Sequence, residues 1–165
     1  MSNKISKATY LRLNRQLQAL QQEMMNVTLP EIERAREFSN NEDNDDMMHA
    51  RQMQSNYDNR IAELDKLIKN SEIIEKIDFT GRVDYGTDVN LKNVETGVSR
   101  WIRIVGEMES TSRSEICFKS AFGKAVMGRT TGDEVEIITP NGIQYWEILE
   151  VKVSSAFSNV SGSES

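Results

Sequence analysis

Five carboxylates fall within ten consecutive residues of this chain, from Glu37 to Asp46, with no basic residue among them. The other three are Glu42, Asp43 and Asp45. Carboxylate oxygens are ligands that Ca²⁺ takes in proteins, so this stretch is a candidate for cation binding. A charge run is more often only a solvated face, and the elements around it decide between the two interpretations.

Apolar residues repeat at coiled-coil spacing on both sides of the acids. The N-terminal series is Leu13, Leu17, Leu20, Met24 and Val27, and Ile32 and Ala35 extend it; the C-terminal series is Met53, Tyr57, Ile61, Leu64 and Ile68. The polar run 39–46 between them favours a turn, because Ser, Asn and Asp side chains compete for backbone hydrogen bonds. The pattern predicts an antiparallel helical hairpin of roughly 40 Å that carries its acids at the tip.

The first helix is predicted to begin near Lys7, with Ser6 as its cap. A capping-box sequence with a proline, Thr28-Leu29-Pro30-Glu31, interrupts the repeat. We therefore expect the helix to kink there, or to stop and restart.

After Asn70 the period changes from helical to alternating. Predicted strands are the alternating residues 83–91, the runs 101–105 and 115–118, and the segments 135–138 and 143–153, with a hairpin turn at Pro140-Asn141-Gly142; residues 120–128 form one short helix. The expected fold class is α+β. Residues 1–75 are the coiled-coil hairpin, residues 76–154 a small antiparallel β-sheet domain, and residues 155–165 a Ser-rich disordered tail.

Composition excludes several classes of protein. The net charge of −6 and pI near 5.0 argue against binding nucleic acid through overall charge. A single cysteine, Cys117, excludes an internal disulfide and, without a secretory leader, fits a reducing cytoplasm. No apolar run approaches the ~20 residues of a membrane span, so no membrane partner is expected.

The order of elements and a set of short motifs resemble the GreA/GreB transcript cleavage factors of bacterial RNA polymerase. The matching positions run through nearly the whole chain: Pro30-Glu31-Ile32, Ala35-Arg36-Glu37, Asn44, Arg51, Arg60-Ile61-Ala62-Glu63-Leu64, Gly81-Arg82-Val83, Tyr85-Gly86, Arg103-Ile104-Val105-Gly106, Gly128-Arg129, Gly132-Asp133 and Thr139-Pro140-Asn141-Gly142. Each motif is weak alone, but their order and spacing together make the resemblance specific.

The resemblance implies a definite activity. In this family the hairpin enters the secondary channel of RNA polymerase, and an FKBP-like globular domain docks at its outer rim. The tip carboxylates help hold a second Mg²⁺ and an attacking water, so that the polymerase cleaves the 3′ end of a backtracked RNA. Two metals about 3.5–4 Å apart stabilise the attacking and leaving oxygens of a phosphoryl transfer. The chain would thus be a cytoplasmic cofactor of the polymerase, grouped with DNA-binding transcription proteins, and not an enzyme by itself.

The tip departs from the family pattern. The resemblance sets Asn40 and Asp43 at the positions of the two key acids, with Asp43 the Mg²⁺ ligand. Asparagine lacks the charge, and Glu42, Asp45 and Asp46 are candidates to compensate. Two outcomes stay open: stimulation of transcript cleavage, or entry into the same channel to inhibit or modulate the polymerase without cleavage.

Arg36 and Arg51 flank the tip on the stem side and are candidate contacts for the RNA 3′ segment. Their alternative role is to pair with glutamates on the helix faces. A monomer is expected because the hairpin pairs with itself.

Two alternative functions belong to other classes. A prolyl isomerase would need an aromatic-lined pocket, for which the C-terminal domain offers Trp101, Phe118, Phe122, Tyr145 and Trp146. Aromatic residues in a small sheet are more often core. A calcium-binding EF-hand is disfavoured because the acidic run contains no glycine for the sixth loop position.

Overall fold

A computed structural model describes residues 2–38 and 45–157, and these form two compact units. One unit is the helical segment from Ala8 to Ser71, and the other combines residues 2–7 with residues 72–157. The α+β class is confirmed, with a helical hairpin followed by a curled sheet. The sequence predicted a boundary near residue 76, but it did not predict that residues 2–7 group with the C-terminal domain.

The hairpin unit contains helices α1 (Lys7–Glu23), α2 (Leu29–Phe38) and α3 (Asp45–Lys69). Between α1 and α2 lies a π-helical segment, Met24–Thr28. Backbone angles stay helical at both of its ends, with φ −62° and ψ −43° at Glu23 and φ −64° and ψ −43° at Leu29. The expected stop and restart near Pro30 is therefore wrong. The helix continues, and a change of hydrogen-bonding pattern takes the place of the break.

The spacing of the buried residues explains the π segment. Steps of four and three lead from Leu13 to Met24 and would continue to Val27, but Val27 is exposed and Thr28 is fully buried instead. The seam then proceeds through Ile32 and Ala35, which are both buried. One extra residue thus lies between the two heptad runs, and a π turn absorbs an extra residue without breaking the helix.

The C-terminal domain is built on a five-stranded sheet in the order β5-β4-β3-β7-β6. Its strands are β3 (Thr87–Asn93), β4 (Ser99–Val105), β5 (Glu115–Cys117), β6 (Glu134–Thr139) and β7 (Gly142–Val153). A separate two-stranded sheet pairs β1 (Asn3–Ser6) with β2 (Ser71–Ile74). Strands β3, β4, β6 and β7 pair antiparallel, but β5 runs parallel to β4. The sheet is therefore mixed, which corrects the antiparallel prediction.

One face of this sheet carries the core. Its buried residues alternate along each strand, as expected for a sheet covered on one side. Its strand residues are Val89, Leu91, Ile102, Ile104, Val135, Ile137, Trp146 and Ile148. The core combines these strand residues with Val83, Tyr85, Phe118 and Val126, which lie outside the strands. The register against β7 shifts between Asn90 and Leu91, because β7 has one extra residue, Leu149, at this point. Ile148 and Val151 therefore lie opposite the buried Leu91 and Val89. The alternation predicted from Val83 is confirmed, although β3 itself begins only at Thr87.

The short helix α4 (Ala121–Val126) packs on the sheet as predicted. Ser120 caps it by accepting a hydrogen bond from the Gly123 N–H at 3.1 Å. Residues Pro140 and Asn141 form the two-residue loop that joins β6 to β7. Phe157 stacks edge-on against Tyr85, with ring centroids 5.9 Å apart, while the remaining predicted tail, 158–165, lies outside the described residues.

Candidate functional site

Asp45 and Asp46 occupy the first turn of α3, and both are exposed. The predicted turn is therefore shorter than the polar run 39–46, because its last two residues are helical. Negative charge is favoured in the first turn of a helix, where free backbone N–H groups and the helix dipole present positive potential. These two carboxylates thus stabilise the start of α3. Asn40, Glu42 and Asp43 lie outside the described residues.

Arg36 and Arg51 line the same cleft between α2 and α3. Ile32 and Ala50, which are both buried, hold the two helices together beside them. Leu29, Glu33 and Gln54 complete the lining. Gln54 could not be singled out from the sequence, because its place beside Arg36 depends on how the two helices pair. The volume of about 240 Å³ is below the roughly 300–1,000 Å³ of typical small-molecule pockets.

Both arginines are exposed, so they present their guanidinium groups at the surface of this cleft. A guanidinium carries five N–H donors in a planar arrangement that matches phosphate oxygens. The neighbouring Arg34 differs, because its Nη1 pairs with the Glu31 carboxylate at 3.2 Å. The structure therefore brings together the two arginines chosen from the sequence.

A hydrogen bond farther down the stem joins α3 to α1. The Tyr57 hydroxyl donates to the Glu23 carboxylate at 2.9 Å. This bond is the main reason why the pKa of Tyr57 is raised above its usual value. The Arg60 guanidinium lies 5.9 Å from the centre of the same ring. The contact thus links the two long helices at the hairpin surface beside the π segment.

Of the acidic residues proposed to bind metal at the tip, the structure describes Asp45 and Asp46. Within residues 2–38 and 45–157, no three His, Cys, Asp or Glu side chains gather closely enough to hold a metal ion. Asp45 and Asp46 supply carboxylate oxygens, which suit Mg²⁺, but two ligands are an incomplete set. The role of the tip in holding Mg²⁺ therefore stays a prediction.

The five aromatic residues considered for a prolyl-isomerase pocket do not surround one cavity. Phe118 and Trp146 belong to the core, and Phe122 packs edge-on against Trp146, with centroids 6.2 Å apart. Trp101 and Tyr145 are exposed. Because Ile102 and Trp146 point to the core, alternation places Trp101 and Tyr145 on the opposite face of the sheet.

A buried carboxylate that the sequence did not reveal organises residues 2–7. Glu109 accepts hydrogen bonds from the backbone N–H groups of Ser6 and Gly106, each at 2.8 Å. The Asn3 side-chain oxygen accepts from the Glu107 N–H at 2.7 Å. No local pattern could have identified the contacts of Ser6 with Glu109 and of Asn3 with Glu107, because they join residues about a hundred positions apart in sequence.

Both domains match families of known proteins. Residues 3–73 match the family model described as transcription elongation factor, N-terminal. Residues 78–153 match the one described as transcription elongation factor, GreA/GreB, C-term. None of the described helices is both long and apolar enough to cross a membrane.

Individual relatives agree with these matches. Transcription elongation factor GreA of Thermosipho melanesiensis is 32% identical over 150 residues, which are 90% of this chain and 96% of that protein. GreA of Paracoccus denitrificans is 28% identical over 149 residues. The crystal structure of GreA factor homolog 1 (Gfh1) of Thermus thermophilus is 23% identical and covers 92% of this chain and 99% of that one, with a TM-score of 0.42. Because the two family models match residues 3–73 and 78–153, and the Thermosipho melanesiensis relative is 32% identical over 90% of this chain, the chain belongs to the GreA/GreB family of transcription elongation factors.

Proposed function

We propose that this factor binds bacterial RNA polymerase through its secondary channel and stimulates cleavage of backtracked transcripts by the polymerase active site. The observation that carries the proposal is the exposed acid pair Asp45 and Asp46 at the start of α3, in a chain that matches GreA/GreB models over both domains. The factor acts in the cytoplasm as a monomer. It supplies side chains to the polymerase and has no active site of its own.

The tip supplies the acidic groups in this proposal. Asp43, Asp45 and Asp46 present carboxylate oxygens to a magnesium ion held jointly with the polymerase. Glu42 is a further candidate ligand. When bound, that ion supplies charge stabilisation for the attacking and leaving oxygens of phosphoryl transfer. A carboxylate beside the reacting phosphate also orients the attacking water and accepts its proton. Asn40 contributes a neutral carbonyl oxygen that positions water without adding charge.

The stem supplies the cationic groups. Arg36 and Arg51 line one cleft next to the tip, so both reach the same segment of a bound chain. They donate hydrogen bonds to the phosphates of the RNA 3′ end and hold that segment against the hairpin. Binding of DNA is not part of the proposal, because the net charge of −6 opposes adsorption to a polyanion.

The decisive experiment is transcript cleavage in a purified backtracked elongation complex with saturating factor and Mg²⁺. Wild type should release short 3′ fragments, and Asp43→Asn combined with Asp45→Asn should slow their release at least tenfold. Asp58→Asn is the matched control, since Asp58 is an exposed aspartate of α3 well away from the first turn. Asn40→Asp should speed cleavage, because it restores the charge missing from the tip.

The second candidate function is modulation of the polymerase without cleavage, and the neutral side chain at Asn40 is the observation that favours it. A tip with one acid fewer still fills the channel and obstructs nucleotide entry. If wild type binds the polymerase and slows nucleotide addition but releases no fragments, this function replaces cleavage. Asn40→Asp should then convert the inhibitor into a weak cleavage factor.

The role of the arginines is tested separately. Photocrosslinking from the RNA 3′ nucleotide to the hairpin should fall severalfold in Arg36→Ala and Arg51→Ala. Arg34→Ala is the control, because Arg34 is already paired with Glu31. Unchanged crosslinking in both cleft variants would show that these arginines only stabilise the hairpin.

A further inference from the structure

We propose that the free edge of β6 is a protein-docking site that accepts an extended segment bearing alternate basic residues. Strand β6 ends the order β5-β4-β3-β7-β6, and no described strand pairs with its second edge. A strand at the edge of a sheet presents a row of unpaired backbone donors and acceptors, which an added strand can satisfy. This surface belongs to the C-terminal domain and is independent of the hairpin tip.

The register identifies which backbone groups are free. Thr139 pairs with Gly142 across the two-residue loop, so this pair exchanges the first hydrogen bonds of the hairpin. Because bonded and non-bonded pairs alternate in an antiparallel ladder, Ile137 and Val135 also direct their N–H and C=O groups toward β7. Glu134, Glu136 and Ile138 direct theirs away from β7. A docked segment would bond to these three residues.

The side chains along this edge define the chemistry of the partner. Val135 and Ile137 are buried, so Glu134, Glu136 and Ile138 lie on the opposite, exposed face. The side chain of Ile138 is 76% exposed, and its cross-strand partner Ile143 is 50% exposed. An incoming strand therefore meets two carboxylates followed by an aliphatic pair.

The charges at this edge are unbalanced. Glu134 lies directly opposite Glu147, and like charges in that position destabilise a sheet. Lys92 of β3 also lies opposite Glu147 and offsets the charge of that carboxylate. No residue of β7 that lies opposite β6 is basic. Basic side chains opposite Glu134 and Glu136 would relieve the repulsion. Charge complementarity therefore selects a segment with the pattern apolar-x-basic-x-basic when it docks antiparallel.

The same charges disfavour a second copy of this chain as the occupant. Two β6 strands paired antiparallel about their common centre would place Glu136 against Glu136 and Glu134 against Ile138. Exposed charges on edge strands commonly block such self-pairing. The charges of this edge thus disfavour pairing with a second copy of the chain and favour pairing with a basic segment.

The test uses the full chain with the synthetic peptide acetyl-Ile-Thr-Lys-Thr-Lys-Thr-amide, followed by NMR and amide hydrogen exchange. At saturation, exchange of the Glu134, Glu136 and Ile138 amides should slow at least tenfold, while Val135 and Ile137, already bonded to β7, should change little. A peptide with Glu in place of Lys should bind at least tenfold more weakly. Methylation of the alternate peptide amides that face β6 should abolish binding.

Variants of the protein complete the test. Glu136→Lys should remove binding, whereas Glu150→Lys, the same charge change on β7 away from the edge, should leave it within twofold. The proposal is overturned if the Lys and Glu peptides bind equally, or if binding leaves the three outward amides unprotected. It is also overturned if the chain dimerises and Ile138→Lys makes it monomeric, because a second copy would then occupy the edge.

Discussion

The hairpin and the sheet domain bury their apolar residues in different ways. The sheet domain gathers twelve buried residues into one cluster covered by α4. The hairpin buries Leu13, Ile32, Ala35, Ala50, Leu64 and Ile68, and its other seam residues stay partly exposed. Two paired helices have no third layer, so most seam side chains keep one side toward water. The residues that suit the proposed chemistry are thus on the element with the smaller core.

The largest expected effect is on the sheet core. Ile148→Ala should lower the free energy of unfolding of the C-terminal domain by about 3–4 kcal/mol, because Ile148 is fully buried and its loss leaves a cavity. In the hairpin, truncating the partly exposed Leu17 should cost only about 1–2 kcal/mol.

Urea unfolding can separate the two domains. Trp101 and Trp146 both lie in the sheet domain, so tryptophan fluorescence reports that domain, while circular dichroism at 222 nm is dominated by the hairpin. Leu17→Ala should move only the dichroism transition. The contrast between the domains would be wrong if Leu17→Ala shifted the fluorescence transition as far as Ile148→Ala does.

The next effect concerns Glu109. Glu109→Gln should destabilise the sheet domain by about 2 kcal/mol, because an amide has one acceptor oxygen and the site holds two backbone N–H donors, from Ser6 and Gly106. The rate of amide hydrogen exchange at Ser6 should rise in the same variant. Glu107→Gln is the control, since the Glu107 carboxylate makes only a partly exposed 3.7 Å pair with Lys119. Equal losses in the two variants would contradict a special role for Glu109.

A substitution in the π segment should have a smaller effect of the opposite sign. Thr28 is fully buried, and its hydroxyl has no hydrogen-bond partner among the described residues. Thr28→Val keeps the shape and removes the unsatisfied group, so the hairpin should gain about 1 kcal/mol, measured by dichroism at 222 nm. Thr28→Ser keeps the hydroxyl, loses a methyl group and should destabilise. A loss of stability in Thr28→Val would reveal a partner for the hydroxyl.

The sequence predicted local features better than distant pairings. Heptad spacing predicted both long helices, and alternation predicted the buried residues from Val83 onward. The π segment was missed, although the five-residue step from Val27 to Ile32 shows the extra residue. Its effect depends on which residue packs against α3, and Thr28 is polar, so the pattern of apolar residues pointed to Val27.

The parallel pairing of β5 and the contact between Glu109 and Ser6 were not predicted. Neither leaves a local sequence pattern, because a strand of three residues can pair in either direction and the second contact joins residues 103 positions apart. The candidate site was partly predictable: Asp45, Asp46, Arg36 and Arg51 were chosen by residue type and motif. Their surroundings required the structure, which shows the first pair in a helical turn and the second pair in one cleft. The roles of Asn40, Glu42 and Asp43 stay predictions.

The smallest expected effect is at the contact between Tyr57 and Glu23, because it lies at the hairpin surface. The hydrogen bond from the Tyr57 hydroxyl, more than burial or the negative charge of Glu23, raises the pKa of Tyr57, while Arg60 acts weakly in the opposite direction. A raised pKa in the folded state means that this contact stabilises the hairpin below the unfolded-state pKa of about 10. The stabilisation is lost as pH rises through the higher pKa of the folded state.

Glu23→Ala should lower the pKa of Tyr57 toward its usual value, measured from the carbon-13 shift of the ring. The melting temperature of Glu23→Ala should match wild type above the folded-state pKa of Tyr57 and fall slightly below that of wild type at neutral pH. An unchanged pKa in Glu23→Ala would show that the two side chains do not stay bonded in solution, and the helices would then be held together by the seam alone.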